Sequence, residues 1–143
     1  MRISTKGRYG LAVMVCLAER NGENQTAVDI SKRLDVSKIY LEQVLSLLKG
    51  AGLVQSVKGS QGGYFLDTAP SAITVYEVLK ATENGLFEKT EAAAGEGSTL
   101  SVDKSLNKLV WDGLEASVAT ALKGVTLQDI VDDIKRGGYM FYI

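Results

Sequence analysis

Between residues 8 and 20 apolar side chains recur at Leu11, Met14, Val15 and Ala18, the i, i+3, i+4, i+7 spacing that turns one face of a helix toward a core. Asn21-Gly22 supplies the stop. Thr26-Ala-Val-Asp29 predicts a second helix start, with a hydroxyl for a free backbone N–H and an acid in the first turn. That helix carries Val28, Ile30 and Leu34 and ends near Asp35-Val36. Ser37 begins a third, with Ile39, Leu41, Val44, Leu45, Leu47 and Leu48 as its buried side and Gly50 and Gly52 closing it. The period then changes from helical to alternating. Residues 53–57 and 64–66 flank Lys58-Gly-Ser-Gln-Gly-Gly63, the pattern of a β-hairpin.

Asp67-Thr-Ala-Pro70 breaks the chain at its only proline. Thr74-Val-Tyr-Glu77 is the best capping box in the sequence, since its glutamate can reach back to the cap's own N–H, and its helix runs to about Thr82. Residues 84–99 are rich in Gly, Glu and Ala, with only Leu86 and Phe87 as large apolar side chains, and read as a mobile loop. A long helix follows over residues 101–123, with Leu106, Leu109, Val110, Leu114, Val118, Ala121 and Leu122 along one stripe. Thr126-Leu-Gln-Asp129 caps a last helix that ends at Gly137-Gly138, before the tail Tyr139-Met-Phe-Tyr-Ile143. The expected organisation is a unit of helices and a hairpin over 1–82, a mobile loop over 83–100, and a long helix with a C-terminal helix and tail over 101–143.

Helix, helix, short turn, helix and hairpin over residues 8–66 is the order of a winged helix-turn-helix, mainly α with a small β-hairpin wing. The third helix of such a unit can lie in a major groove while the hairpin reaches the flanking backbone or minor groove. Glu42 and Gln43 then matter, because Glu can accept from cytosine N4 and Gln can pair bidentately with adenine. On an arbitrary helix both would be a solvated face; the hairpin and the local basic bias make base reading a competing account. The wing glycines lead into a strand, whereas a nucleotide-binding glycine loop leads into a helix, so phosphate cradling is the weaker reading of Lys58-Gly-Ser-Gln-Gly-Gly-Tyr64. Lys58 beside them suits a phosphate or minor-groove contact.

The formal charge of −1 conceals a segregation. Residues 1–65 carry nine Lys/Arg against five Asp/Glu, and residues 66–143 carry seven against twelve, so a basic face on the N-terminal half is allowed. The 143 residues contain no histidine and one cysteine, Cys16. No Ser-His-Asp or Cys-His pair can be assembled, and no disulfide or all-thiolate metal site can form within one chain. A catalytic function is therefore not expected. Cys16, between Val15 and Leu17, reads as core packing ahead of redox sensing. Trp111 and the long stripe read as packing or dimer contacts rather than a cofactor box. Glu83, Glu88, Glu91 and Glu96 could suggest a metal, but carboxylates on a glycine-rich loop are more often solvated. No leader and no span of about 18 apolar residues is evident, so a soluble, cytoplasmic protein with no membrane contact is expected.

Met1-Arg-Ile-Ser-Thr-Lys-Gly-Arg-Tyr-Gly10, Tyr40-Leu-Glu-Gln43, Gly52-Leu-Val54 and Gly62-Gly-Tyr64 together resemble the Rrf-two family of bacterial transcription regulators over the whole chain. The ending Tyr139-Met-Phe-Tyr-Ile143 is most similar to its CymR branch of cysteine-metabolism repressors. The resemblance implies a homodimer built on the long helix, with two winged units on a double-stranded operator. It places Glu42 and Gln43 on the recognition helix and Lys58 where other members often carry arginine. Ile39 stands where some members have a base-reading polar residue and offers only apolar contact, such as a thymine methyl. Cluster-binding members carry three cysteines before the long helix. The matching residues 86–104 carry none, so a cluster of that type is excluded by ligand count and no cofactor is expected. A signal would enter through a small-molecule effector, Cys16 or a partner, which in the CymR branch is cysteine synthase. A protein-interaction module acting on such an enzyme is the alternative function. Pattern and resemblance together give the candidate DNA contacts: Thr5, Lys6 and Arg8 near the N-terminus, Ser37, Lys38, Ile39, Tyr40, Glu42 and Gln43 on the third helix, and Lys58, Ser60, Gln61 and Gly62 on the wing.

Overall fold

Five helices start on a Ser or Thr hydroxyl that accepts from a backbone N–H three residues on. The pairs are Ser4 with Gly7 (3.1 Å), Thr26 with Asp29 (3.1 Å), Ser37 with Tyr40 (3.2 Å), Thr74 with Glu77 (3.2 Å) and Thr126 with Asp129 (3.1 Å). Each such cap is worth about 1 kcal/mol and fixes where its helix begins. The structure, a computed structural model, describes residues 2–83, 85, 86 and 98–140. Its elements are α1 (Thr5–Glu19), α2 (Ala27–Leu34), α3 (Lys38–Gly50), β1 (Gln55–Val57), β2 (Gly63–Phe65), a 3-10 turn (Pro70–Ala72), α4 (Val75–Thr82), α5 (Ser98–Leu106), α6 (Asp112–Lys123) and α7 (Leu127–Met140). A five-residue π turn, Asn107–Trp111, joins α5 to α6 without leaving helical backbone, and the Asp112 N–H donates to the Asn107 carbonyl. The fold is mainly α with a two-stranded antiparallel wing, as the sequence predicts.

Val13, Met14 and Leu17 of α1, Ile30 of α2, Leu41, Val44, Leu45 and Leu48 of α3, and Val54, Ile73, Val78 and Leu127 are almost wholly buried in one core. α1 runs through its centre, in contact with α2, α3, α4 and α7. A helix covered from several sides buries more than one stripe. Hence Val13, Cys16 and Leu17 are buried although the four-residue pattern missed them, while Leu11 and Val15 are only half-buried. On α2 it is Ala27, Ile30 and Ser31 that turn inward, and Val28 is exposed.

The turn between α2 and α3 places Asp35 in the left-handed region, φ 53°, and its N–H closes onto the Ser31 carbonyl. The wing pairs Gln55 with Phe65, Ser56 with Tyr64 and Val57 with Gly63. Gln25 adds a third line to it: Gln25 N–H donates to Tyr64 O (2.9 Å) and Tyr64 N–H to Gln25 O (2.8 Å). A second bridge, Thr74 against Thr126, joins the starts of α4 and α7, with Val75 N–H on Val125 O (2.9 Å) and Leu127 N–H on Ile73 O (3.0 Å).

Several boundaries differ from the sequence reading. α5 starts at Ser98, three residues before the predicted long helix. α7 runs through Gly137 and Gly138 to Met140, because glycine inside a helix costs only about 1 kcal/mol and does not by itself end one. The complete reciprocal capping box is Thr126 with Asp129, whose carboxylate accepts the Thr126 N–H at 2.9 Å. At Thr74 the glutamate lies against the threonine hydroxyl, 3.4 Å, instead of the cap's N–H. The expected mobile loop, apart from residues 83, 85, 86 and 98–100, and the end of the tail at 141–143 lie outside the described residues.

Candidate nucleic-acid interface

The outward face of α3 is where the apolar pattern failed. Leu41, Val44, Leu45 and Leu48 take the core, while Ile39 and Leu47, also predicted buried, are 73% and 39% exposed. Helical geometry explains it, since Ile39 falls in line with Glu42, Gln43 and Ser46 at i+3, i+4 and i+7. These residues and Lys6 of α1 line one open hollow with Leu47. Lys6, Ile39, Glu42 and Gln43 were predicted contacts and are brought together; Ser46 and Leu47 were not predicted, although Ser46 was readable from its spacing.

Lys38 Nζ lies 3.6 Å from Glu42 Oε1, one helical turn on, with both side chains about half exposed. The pair is weak on such a surface, but it gives the carboxylate a counter-charge within the same face. Ser37 spends its hydroxyl on the Tyr40 N–H and sets the start of the helix. Tyr40 lies behind the face: its ring meets Tyr9 of α1 edge to face at 5.7 Å, and its hydroxyl is buried without a hydrogen-bond partner among the described residues. Thr5 and Arg8 are exposed on the first turns of α1.

Lys58, Ser60 and Gln61 are exposed at the wing tip and do not line the hollow. Gly62 has a structural reason to be glycine, since a Cβ there would lie 2.2 Å from the Val57 carbonyl oxygen. The wing is held to the helices by Gln25, 3% exposed, a residue to which the sequence pattern assigns no role. Its Nε2 donates to the Cys16 carbonyl at 3.0 Å, and its Oε1 accepts from Arg33 Nη1 at 3.3 Å. Arg33 Nη2 in turn lies 3.5 Å from Glu19. Cys16 itself is buried in α1, and burial pushes its thiol pKa up.

An exposed helix face, a helix-turn-helix and a glycine-tipped wing define a winged helix-turn-helix protein. The sequence model of the Rrf2 family, described as "Iron-dependent Transcriptional regulator", matches residues 3–133. The chain belongs to the Rrf2 family and is a transcriptional regulator of that family. It is 37% identical to the HTH-type transcriptional regulator CymR of Bacillus subtilis, with all of both chains covered. It is 38% identical to the HTH-type transcriptional regulator IscR of Cereibacter sphaeroides, over 95% of this chain and 90% of the relative. Among solved structures, the B. subtilis global cysteine regulator CymR gives a TM-score of 0.74 at 32% identity, covering 92% of this chain and 97% of that one. The T. potens IscR structure also gives 0.74, at 34% identity, covering 99% and 97%.

The family's iron dependence calls for ligands. This chain supplies one thiol, buried in α1, and no imidazole, so its residues do not fit a cluster held by thiolates and histidine. Among the described residues no group of three or more His, Cys, Asp and Glu is placed to hold a metal. Glu88, Glu91 and Glu96 lie outside the described residues, and Glu83 is engaged with α1. Among the described residues no helix is long and apolar enough to cross a membrane.

Proposed function

We propose that this protein is a homodimeric repressor, without an iron–sulfur cluster or catalytic activity, that reads operator DNA in the cytoplasm with α3 and the wing. The observation that carries the reading is the grouping of Lys6 with Ile39, Glu42 and Gln43 around one open hollow on the outer side of α3. Such a face pairs a phosphate-seeking cation with side chains able to address base edges. Tyr40 acts by holding α3 on α1, and Gly62 by shaping the wing. The remaining candidates Thr5, Arg8, Ser37, Lys38, Lys58, Ser60 and Gln61 serve backbone contact.

The dimer reading is supported by Val102, Leu106, Leu109, Val110, Trp111 and Leu114, large apolar side chains left exposed along α5, the π turn and α6. A second copy of the same helix is the partner that a two-fold operator calls for. In this organisation residues 1–82 bind DNA and residues 101–143 carry the dimer helix and the returning α7. The B. subtilis relative, a global cysteine regulator, supports genes of cysteine metabolism as targets.

The test is titration of an operator, selected by the wild-type protein from random duplexes, and of a scrambled duplex at several salt concentrations. Lys58→Ala should weaken both and lower the salt slope by about 0.9, the loss of one phosphate contact. Gln43→Ala should cost about 1–3 kcal/mol on the operator, little on scrambled DNA, and leave the slope unchanged. Equal losses on both duplexes for Gln43→Ala would overturn the recognition-helix assignment. Retention of the protein by cysteine synthase without binding to any duplex would replace the reading with the interaction-module one.

A further inference from the structure

A capping box needs a Ser or Thr at the cap and, three residues later, a carboxylate or amide, most often Glu or Gln, whose side chain returns to the cap's own N–H. α7 has both halves in one segment, Thr126 and Asp129. α1 has only the first: Ser4 caps the Gly7 N–H, but the place of the returning acid is taken by Gly7, and the first turn of α1 contains no acid. The Ser4 N–H nevertheless donates to a carboxylate, Oε1 of Glu83, at 2.5 Å.

We propose that Glu83 is a positioning residue for DNA binding, the distant half of a split capping box that holds the DNA-facing first turn of α1 to the end of α4. The inference rests on the reading of Lys6 and Arg8 as DNA contacts. Two further observations support it. A Cβ on Gly7 would lie 2.5 Å from Glu83 Oε1, so the glycine leaves the space that the carboxylate occupies. One turn on, a Cβ on Gly10 would lie 2.7 Å from Cγ2 of the buried Thr82. Glycines at i and i+3 thus let Thr82 and Glu83, the end of α4 and the residue after it, lie directly on α1.

The chemistry suits the place. Lys6 and Arg8 sit at the positive end of the α1 dipole, where cations are unfavourable and an anion is favourable. Glu83 provides that anion from the side of α4. The order of the turn that carries Lys6 is therefore set by a residue outside the helix-turn-helix, and a displacement of the end of α4 withdraws the acid from α1.

The test combines hydrogen exchange at residues 4–8 of the DNA-free protein with operator titration, for four proteins: wild type, Glu83→Gln, Glu83→Ala, and Glu83→Ala with Gly7→Glu. Glu83→Ala should speed exchange at these amides and weaken operator binding about tenfold. Glu83→Gln keeps an acceptor for the Ser4 N–H and should bind within about twofold of wild type. Gly7→Glu in the alanine background supplies the box from within α1 and should restore both slow exchange and affinity, a rescue that no general loss of folding would show. Unchanged exchange in Glu83→Ala overturns the cap. Faster exchange with unchanged operator affinity overturns the positioning role, as does tighter binding by both Glu83 variants, which would mark the carboxylate as a repelling charge alone. If wild type binds no duplex, the DNA reading and the positioning role fail together, while exchange still decides the cap.

Discussion

A Cβ on Gly63 would lie 2.8 Å from the carbonyl oxygen of Gln25, the atom that accepts the Tyr64 N–H. The wing and the segment before α2 therefore approach more closely than any side chain allows, and Gln25 carries this contact on to Cys16 and Arg33. Gly63→Ala must push the strand away from residue 25. It should cost about 1–3 kcal/mol of stability and misplace the wing tip. In that background Lys58→Ala should no longer change the salt slope of DNA binding. A full Lys58 effect would show that the wing is not aimed from residue 25.

Leu109 and Leu114 are 78% and 55% exposed in one chain, so charging them leaves the core intact. Leu109→Glu with Leu114→Glu should give a folded, helical monomer by sedimentation at micromolar concentration, with much weaker operator binding. A dimer that survives both changes would place the subunit contact elsewhere.

The Tyr40 hydroxyl is buried and lacks a hydrogen-bond partner among the described residues. An unsatisfied buried donor costs about 1–3 kcal/mol, so Tyr40→Phe should raise the Tm while leaving DNA affinity unchanged. Tyr40→Ala removes the contact with Tyr9 as well and should lower both. Weaker DNA binding by Tyr40→Phe at unchanged stability would return the hydroxyl to the contact surface.

Burial disfavours the Cys16 thiolate, so the folded chain holds the proton more tightly than the unfolded one. The stability tied to this group is present below the ordinary thiol pKa and fades as pH rises through the folded value. A thiol reagent at pH 8 should label the native protein far more slowly than the urea-unfolded chain. Equal rates would make Cys16 an accessible thiol and revive the redox reading.

The winged order was legible because the second and third helices start on hydroxyls readable as caps, Thr26 and Ser37, and because glycines mark the wing: Gly59 has φ 112°, and Gly62 and Gly63 leave no room for a Cβ. The outward turn of Ile39 and Leu47 was not, because an apolar residue left on an exposed helix face looks like core to any periodicity argument. Gln25 and Glu83 left no local signal at all. Their partners, Tyr64 and Ser4, are distant in sequence, and only the packing of α1 against its neighbours brings them together. Lys6, Ile39, Glu42 and Gln43 could be named as candidate contacts from pattern and resemblance, but the hollow that groups them could not.

The π turn at Asn107–Trp111 puts the two ends of the long helix out of phase by one residue. A one-residue deletion there would not break the rod; it would return it to regular winding. Val102 and Leu106 would then rotate by about 100° relative to Leu114. In this helix, length is converted into angle. In the proposed dimer, a single codon gained or lost between positions 107 and 111 would re-aim one subunit against the other, and with it the spacing of the half-sites that the pair can span.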